Sequence, residues 1–207
     1  MRSRLLWLAA VAVVAGCRTV PVQQPPATAS QGWEVTRSQL QARDHFGLKG
    51  RVAVAAGKDG FSAGLRWAQE GSRSRVSLEG PLGVGAVQIT ADGDNLSIVN
   101  SHGDHLDSDA ARTDLAARLG FDPPLGSLRY WILGVPDPAT PAKESVDPQQ
   151  QRLQSLQQNG WRIDYTSYAS APSPAGADSG GPVTLPAKMT VQREGVRVRL
   201  IVDGWSS

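Results

Sequence analysis

Cysteine is nearly absent: Cys17 is the single one among 207 residues, so no disulfide can form within the chain even in an oxidising compartment. Phenylalanine and tyrosine together number six, against six tryptophans, which concentrates the aromatic bulk in a few large side chains. No GxSxG, P-loop or GxGxxG pattern occurs. The stretch GPLGVG at 80–85 has the glycines of a phosphate cradle but neither its lysine nor a following helix. Histidine is scarce too. His45 stands alone, and HGDH at 102–105 brings His102, Asp104 and His105 together without the three or four converging ligands that zinc demands. On a strand those two histidines would face opposite ways. An enzyme working through His102 and His105 would hold a metal; the reading adopted here is no enzyme, no metal and no cofactor. No apolar run reaches the ~20 residues that span a bilayer. Lys/Arg clusters are missing as well, so nucleic acid is not an expected partner.

What is present begins with an export signal. Arg2 and Arg4 precede LLWLAAVAVVAG at 5–16, an apolar run of signal-peptide length. It ends in VAGC, which resembles the lipobox of bacterial lipoproteins, with Val14 where leucine is commoner and small residues at Ala15 and Gly16. By that resemblance residues 1–16 are removed and Cys17 is acylated as the first residue of the mature protein. Arg18, rather than an aspartate, follows it and points to the outer membrane by resemblance to enterobacterial sorting rules. Loss of Arg2 and Arg4 takes the formal net charge from +2 to zero. Residues 17–32 carry the cysteine and three prolines and read as an extended tether; residues 33–207 are the size of one domain with a real core.

Within that domain, WEVTRSQLQARD from Trp33 to Asp44 spaces Trp33 and Leu40 seven apart and predicts a short amphipathic helix. Period-2 alternation then predicts strands. Val52, Val54 and Ala56 share one face and Phe61, Ala63, Leu65 and Trp67 another, as in a hairpin; Val76 with Leu78, Val87 with Ile89, and Leu96 with Ile98 follow. The pattern changes at SDAARTDLAARLG, a helix with Asp107 or Ser108 as N-cap and Gly120 as stop, and again at LGSLRYWILG, which stacks Leu125, Leu128 and Ile132. Residues 135–148 read as loop. Strands resume at RLQSLQQ and WRIDYTSY, a Ser/Pro/Gly excursion occupies 169–184, and LPAKMTVQRE with VRVRLIVDGW closes the series. Many antiparallel strands plus helices lodged mid-chain make an α+β fold, a curled sheet with helices against its inner face.

Two features stand out. In GPLGVGA at 80–86 a proline and three glycines make a bend between strands, which sets Leu82 at an exposed tip, either an ordinary loop leucine or a residue with a use there. The tryptophans Trp67, Trp131 and Trp161 fit either a core or the wall of an apolar cavity, because both have the same sequence signature.

The ordered set LKGRVAV (48–54), FSAGLRWAQ (61–69), GPLG (80–83), PLGSLRYWILGVP (124–136), QNGWRIDY (158–165), LPAKM (185–189) and DGW (203–205) resembles the LolB family of outer-membrane lipoprotein receptors, and it covers nearly the whole mature chain. That resemblance implies a half-open antiparallel β-barrel with helices as a lid, similar to the periplasmic carrier LolA, enclosing an apolar cavity for lipoprotein acyl chains. It implies that LolA delivers client lipoproteins, that the protein inserts them among the phospholipids of the inner leaflet of the outer membrane, and that Leu82, flanked by Pro81 and Gly83, is the exposed tip of a membrane insertion loop used in that delivery. Cavity candidates are Trp67, Leu78, Trp131, Ile132 and Ile163, chosen as apolar residues on alternating or helical faces. A monomer suffices for such a hand-over. The rival reading is an outer-membrane scaffold lipoprotein with a solid core, binding protein partners through sheet edges or loops.

Overall fold

A computed structural model describes residues 27–80, 85–172 and 183–207. A helix α1 (Ala27–Gln41) leads into six strands: β1 (His45–Ala56), β2 (Asp59–Glu70), β3 (Arg73–Glu79), β4 (Val87–Asp92), β5 (Asn95–Asn100) and β6 (His105–Asp107). Two helices, α2 (Ser108–Leu119) and α3 (Leu125–Trp131), interrupt the series. Five more strands complete it: β7 (Ala142–Asp147), β8 (Arg152–Gln158), β9 (Trp161–Ala171), β10 (Val183–Arg193) and β11 (Val196–Ser206). All eleven form one sheet in the order β6-β5-β4-β3-β2-β1-β11-β10-β9-β8-β7, with antiparallel neighbours throughout. The fold is α+β, a curled and unclosed antiparallel sheet with helices packed on it.

The topology follows from the chain. Each half is a meander of hairpins, and β1 pairs with β11 to join them. The two unpaired edges, β6 and β7, are consecutive along the chain, and α2 and α3 lie between them. The helices therefore bridge the gap that the sheet leaves open. Alternation fixes which face they cover: Leu65 and Trp67 on β2, Val76 on β3, Ile89 on β4, and Met189 and Val191 on β10 are buried with Leu115 of α2 and with Trp131 and Ile132 at the end of α3. Register slips once on β1, between Lys49 and Gly50 opposite β11, where a side chain at Gly50 would run into the Ile201 carbonyl oxygen.

Two elements differ from expectation. Helix α1 begins at Ala27 rather than Trp33, so residues 27–32 belong to a helix and not to an extended tether. The last proline precedes it at 26, and ATASQG contains two alanines and no breaker other than its terminal glycine. Strand β7 lies inside the segment read as loop. It is an edge strand paired only with β8, and the carboxylate of its Glu144 receives the Trp33 indole N–H at 2.7 Å and an Arg37 guanidinium N–H at 2.9 Å from α1. Ala142 and Val146 pack on the core on either side of Glu144, so the apolar alternation of this strand is broken at its centre by a carboxylate. At the excursion, β9 runs to Ala171 and β10 starts at Val183; residues 173–182 lie outside the described ones.

Candidate functional site

Between the inner face of the sheet and the two mid-chain helices lies a cavity of ≈ 140 Å³, lined by apolar residues alone. Strand alternation supplies one wall, with Val54, Leu65, Trp67, Val76, Leu78 and Leu200 among its members. The other wall is helical: Leu115 and Leu119 from α2, Leu125 and Leu128 from α3, and Phe121, Pro123 and Pro124 from the link between them. Helix α2 stops at Gly120, whose left-handed φ of 75° turns the chain, and a Cβ there would sit 3.0 Å from that of Ala56. No lining side chain can ionise. A space lined this way offers water no hydrogen-bond partner.

The two helices are held differently. The C-terminus of α3 is locked by a buried polar hub at Gln158. Its Oε1 accepts from the Trp131 indole at 2.8 Å and from the Asp137 backbone N–H at 2.9 Å, while its Nε2 donates to the carbonyl oxygens of Asp137 and Thr140, each at 2.8 Å. Ser127 of α3 donates to the Asp137 carboxylate at 2.7 Å, and the Tyr165 hydroxyl donates to the Trp131 carbonyl at 3.0 Å. Burial raises the Tyr165 phenol well above its ordinary range, and it raises Tyr168, which donates to the Leu153 carbonyl at 2.6 Å, as well. Both stay neutral donors. Helix α2 instead packs on β5 and β6 through Ala111 and Leu115, with an exposed Asp114–Arg118 ion pair on its far side.

Of the five residues picked from sequence, Trp67, Leu78 and Ile132 line the cavity. Trp131 and Ile163 are fully buried and do not; Trp131 turns its indole to Gln158 instead. Trp161 does line it, with the Arg193 guanidinium 4.5 Å above its ring. The helical stacks 115/119 and 125/128 were visible as spacing, but nothing in the sequence assigned them to one side of a cavity. Phe121, Pro123 and Pro124 sit in a connection with no periodicity to find.

Cys17, Pro81, Leu82 and Gly83 lie outside the described residues. The strands flanking 80–86 are described: β3 ends and β4 begins at the same end of the sheet as the β1–β2, β8–β9 and β10–β11 turns. His102 sits in the β5–β6 turn, where Asn100 Oδ1 accepts its backbone N–H at 2.9 Å, and His105 Nε2 is 2.8 Å from Asp107. Among the described residues, no three His, Cys, Asp or Glu side chains are placed to share a metal ion. None of the described helices is long and apolar enough to cross a membrane.

The sequence profile described as Outer membrane lipoprotein LolB matches residues 44–205. Outer-membrane lipoprotein LolB of Nitrosococcus oceani is 31% identical over 198 residues, 96% of this chain and 94% of that protein. Its counterpart in Nitrosomonas europaea is 30% identical over 205 residues, covering 99% and 93%. Among solved structures, a domain from Vibrio parahaemolyticus assigned to outer membrane lipoprotein sorting superposes with a TM-score of 0.50 at 10% identity, over 86% of this chain and 92% of that one, a likeness of fold. With a family profile spanning most of its length and relatives matched nearly end to end, this chain belongs to the family of outer membrane lipoprotein LolB.

Proposed function

We propose that this protein, tethered to the outer membrane through an acylated Cys17, accepts lipoproteins from the periplasmic carrier LolA and inserts them into the inner leaflet. The observation that carries the reading is the all-apolar cavity between sheet and helices. Each acyl CH₂ removed from water is worth about 0.8 kcal/mol, so a triacylated lipoprotein crosses an aqueous compartment only inside an apolar enclosure. The chain holds no nucleotide-binding motif, and hand-over therefore runs downhill from carrier to receptor to bilayer in order of acyl affinity.

The cavity as it stands has a volume of ≈ 140 Å³. Acyl chains far exceed the benzene-sized guests that such a volume takes, so loading separates a helix from the sheet. Helix α3 is pinned through Trp131 and Gln158, and the moving element is α2 with its link to α3. Leu82 acts at delivery. A leucine buried in lipid contributes roughly 1.5 to 3 kcal/mol, too little to anchor a domain and enough to open the interface where acyl chains leave.

Dye uptake tests the reading. The mature chain with Cys17→Ser should bind a hydrophobic fluorophore, and a triacylated lipopeptide should displace it, whereas Leu128→Glu in the cavity wall should weaken uptake at least tenfold. A chain that takes up neither would instead be a scaffold lipoprotein with a closed core.

A further inference from the structure

On the face of the sheet turned away from the cavity, pairing aligns one residue from each of six neighbouring strands: Ala55, Arg197, Gln192, Arg162, Gln157 and Lys143. Cation and amide alternate along this row. The residues line a groove of ≈ 980 Å³ at the end of the sheet where 80–86 connects its strands. Arg162 is paired with Asp164 at 2.8 Å; Lys143 and Arg197 make no ion pair with the described residues. The acids near the groove are Asp164, Glu194 in the β10–β11 turn and Asp59 at the start of β2, against Lys143, Arg162, Arg193 and Arg197 in its lining and Lys58 and Arg199 beside it. Successive cations stand two strand spacings apart, about 10 Å. That is about one Debye length in physiological salt, so they repel one another little and act independently.

Groove and cavity meet at one side chain. Trp161 lines both where the groove rounds the end of the sheet, and Arg193, which alternates onto the same inner face as Val191, lies over its ring. At this rim a charged headgroup would stand beside the apolar cavity, which is the layout of an amphiphile rather than of an acidic protein face.

We propose that this row, with Lys143 and Arg197 as the cations that pair with no described residue, is a docking surface for the phosphate headgroups of an anionic phospholipid bilayer, and that it sets this end of the sheet against the membrane. The proposal rests on the delivery reading above and adds the polar half of the membrane contact. A row of single cations along the rim of the sheet recognises a charged surface and not one headgroup, so binding follows the density of anionic lipid. Each basic side chain close to such a surface is worth about fivefold.

Flotation tests it without a client. The mature chain with Cys17→Ser is mixed with phosphatidylcholine vesicles with or without phosphatidylglycerol, at low and high salt. The expected result is phosphatidylglycerol-dependent, salt-sensitive binding that falls about twenty-fivefold in Lys143→Gln/Arg197→Gln and is kept in Lys143→Arg/Arg197→Lys. Capture of lipoprotein from loaded LolA should be the same in all three. Equal vesicle binding by the neutralised and unmodified chains overturns the proposal. So does intact vesicle binding with impaired capture, which would make the row a docking face for the carrier. Charge-dependent flotation in a chain that captures no client would leave the row standing and sink the delivery reading instead.

Discussion

Gln158 is where single-residue changes bite hardest. Its amide satisfies a tryptophan N–H, a backbone N–H and two carbonyl oxygens at once, all but the Thr140 carbonyl fully buried. Gln158→Leu would leave these groups buried and unpaired, and we expect a loss of about 3 kcal/mol, a fall of about 6–12 °C in Tm. Trp131→Phe removes one donor and leaves the Asp137 N–H on the same oxygen; about 1 kcal/mol is expected. Calorimetric melting of the two variants checks the order. The tyrosines make a pH prediction. Tyr165 and Tyr168 have folded-state pKa values raised by burial, so the unfolded chain ionises first. Their contribution is complete below the usual tyrosine value of about 10 and is lost as pH rises beyond it. Thermal stability should thus fall above about pH 10 together with the appearance of phenolate absorbance. Between about pH 6 and 8 capture should not change, because no cavity residue titrates there. What could not be seen in the sequence at this scale is the split among the tryptophans. Trp67 and Trp161 face the cavity and Trp131 does not, because a glutamine 27 residues further on claims its indole.

Among the elements, α2 and α3 have similar apolar spacing but different attachments, and under the proposed function the difference assigns the moving part to α2. Helix α3 ends in a polar lock, whereas α2 rests on β5 and on the short edge strand β6. Its end at Gly120 approaches Ala56 closely enough for a cross-link, the Cβ separation of 3.0 Å needing less than an ångström of relaxation to reach the usual ~3.8 Å of a disulfide, while a cysteine at Gly120's left-handed φ of 75° costs about 1–2 kcal/mol, which melting of the reduced form measures. In the Cys17→Ser chain, Ala56→Cys/Gly120→Cys should lose client capture at least tenfold when oxidised and recover it on reduction. Undiminished capture by the oxidised form would show that loading does not need α2 to leave the sheet. Most elements were legible because their burial is apolar and one-sided: the hairpins around 52–67 and 76–89, the stop at Gly120, and the alternating valines of β11. Strand β7 was not, since its inward contact is Glu144 with Trp33 and Arg37, a pairing that only the folded chain creates.

For the whole molecule, a curled sheet whose edges are bridged by helices gives a container that opens along one line, and a row of cations on its outer face marks the end where the turns gather. On the proposed function, container and opening belong to one act, the passage of acyl chains from carrier to bilayer. The most direct measurement of that act is a two-step transfer from lipoprotein-loaded LolA, scored for capture and for arrival in liposomes, using the mature Cys17→Ser chain with and without Leu82→Glu. The account predicts capture by both, with delivery by the Leu82→Glu chain lower by about tenfold or more, the weight of one leucine in lipid. Failure of the folded unmodified chain to capture any lipoprotein would contradict it.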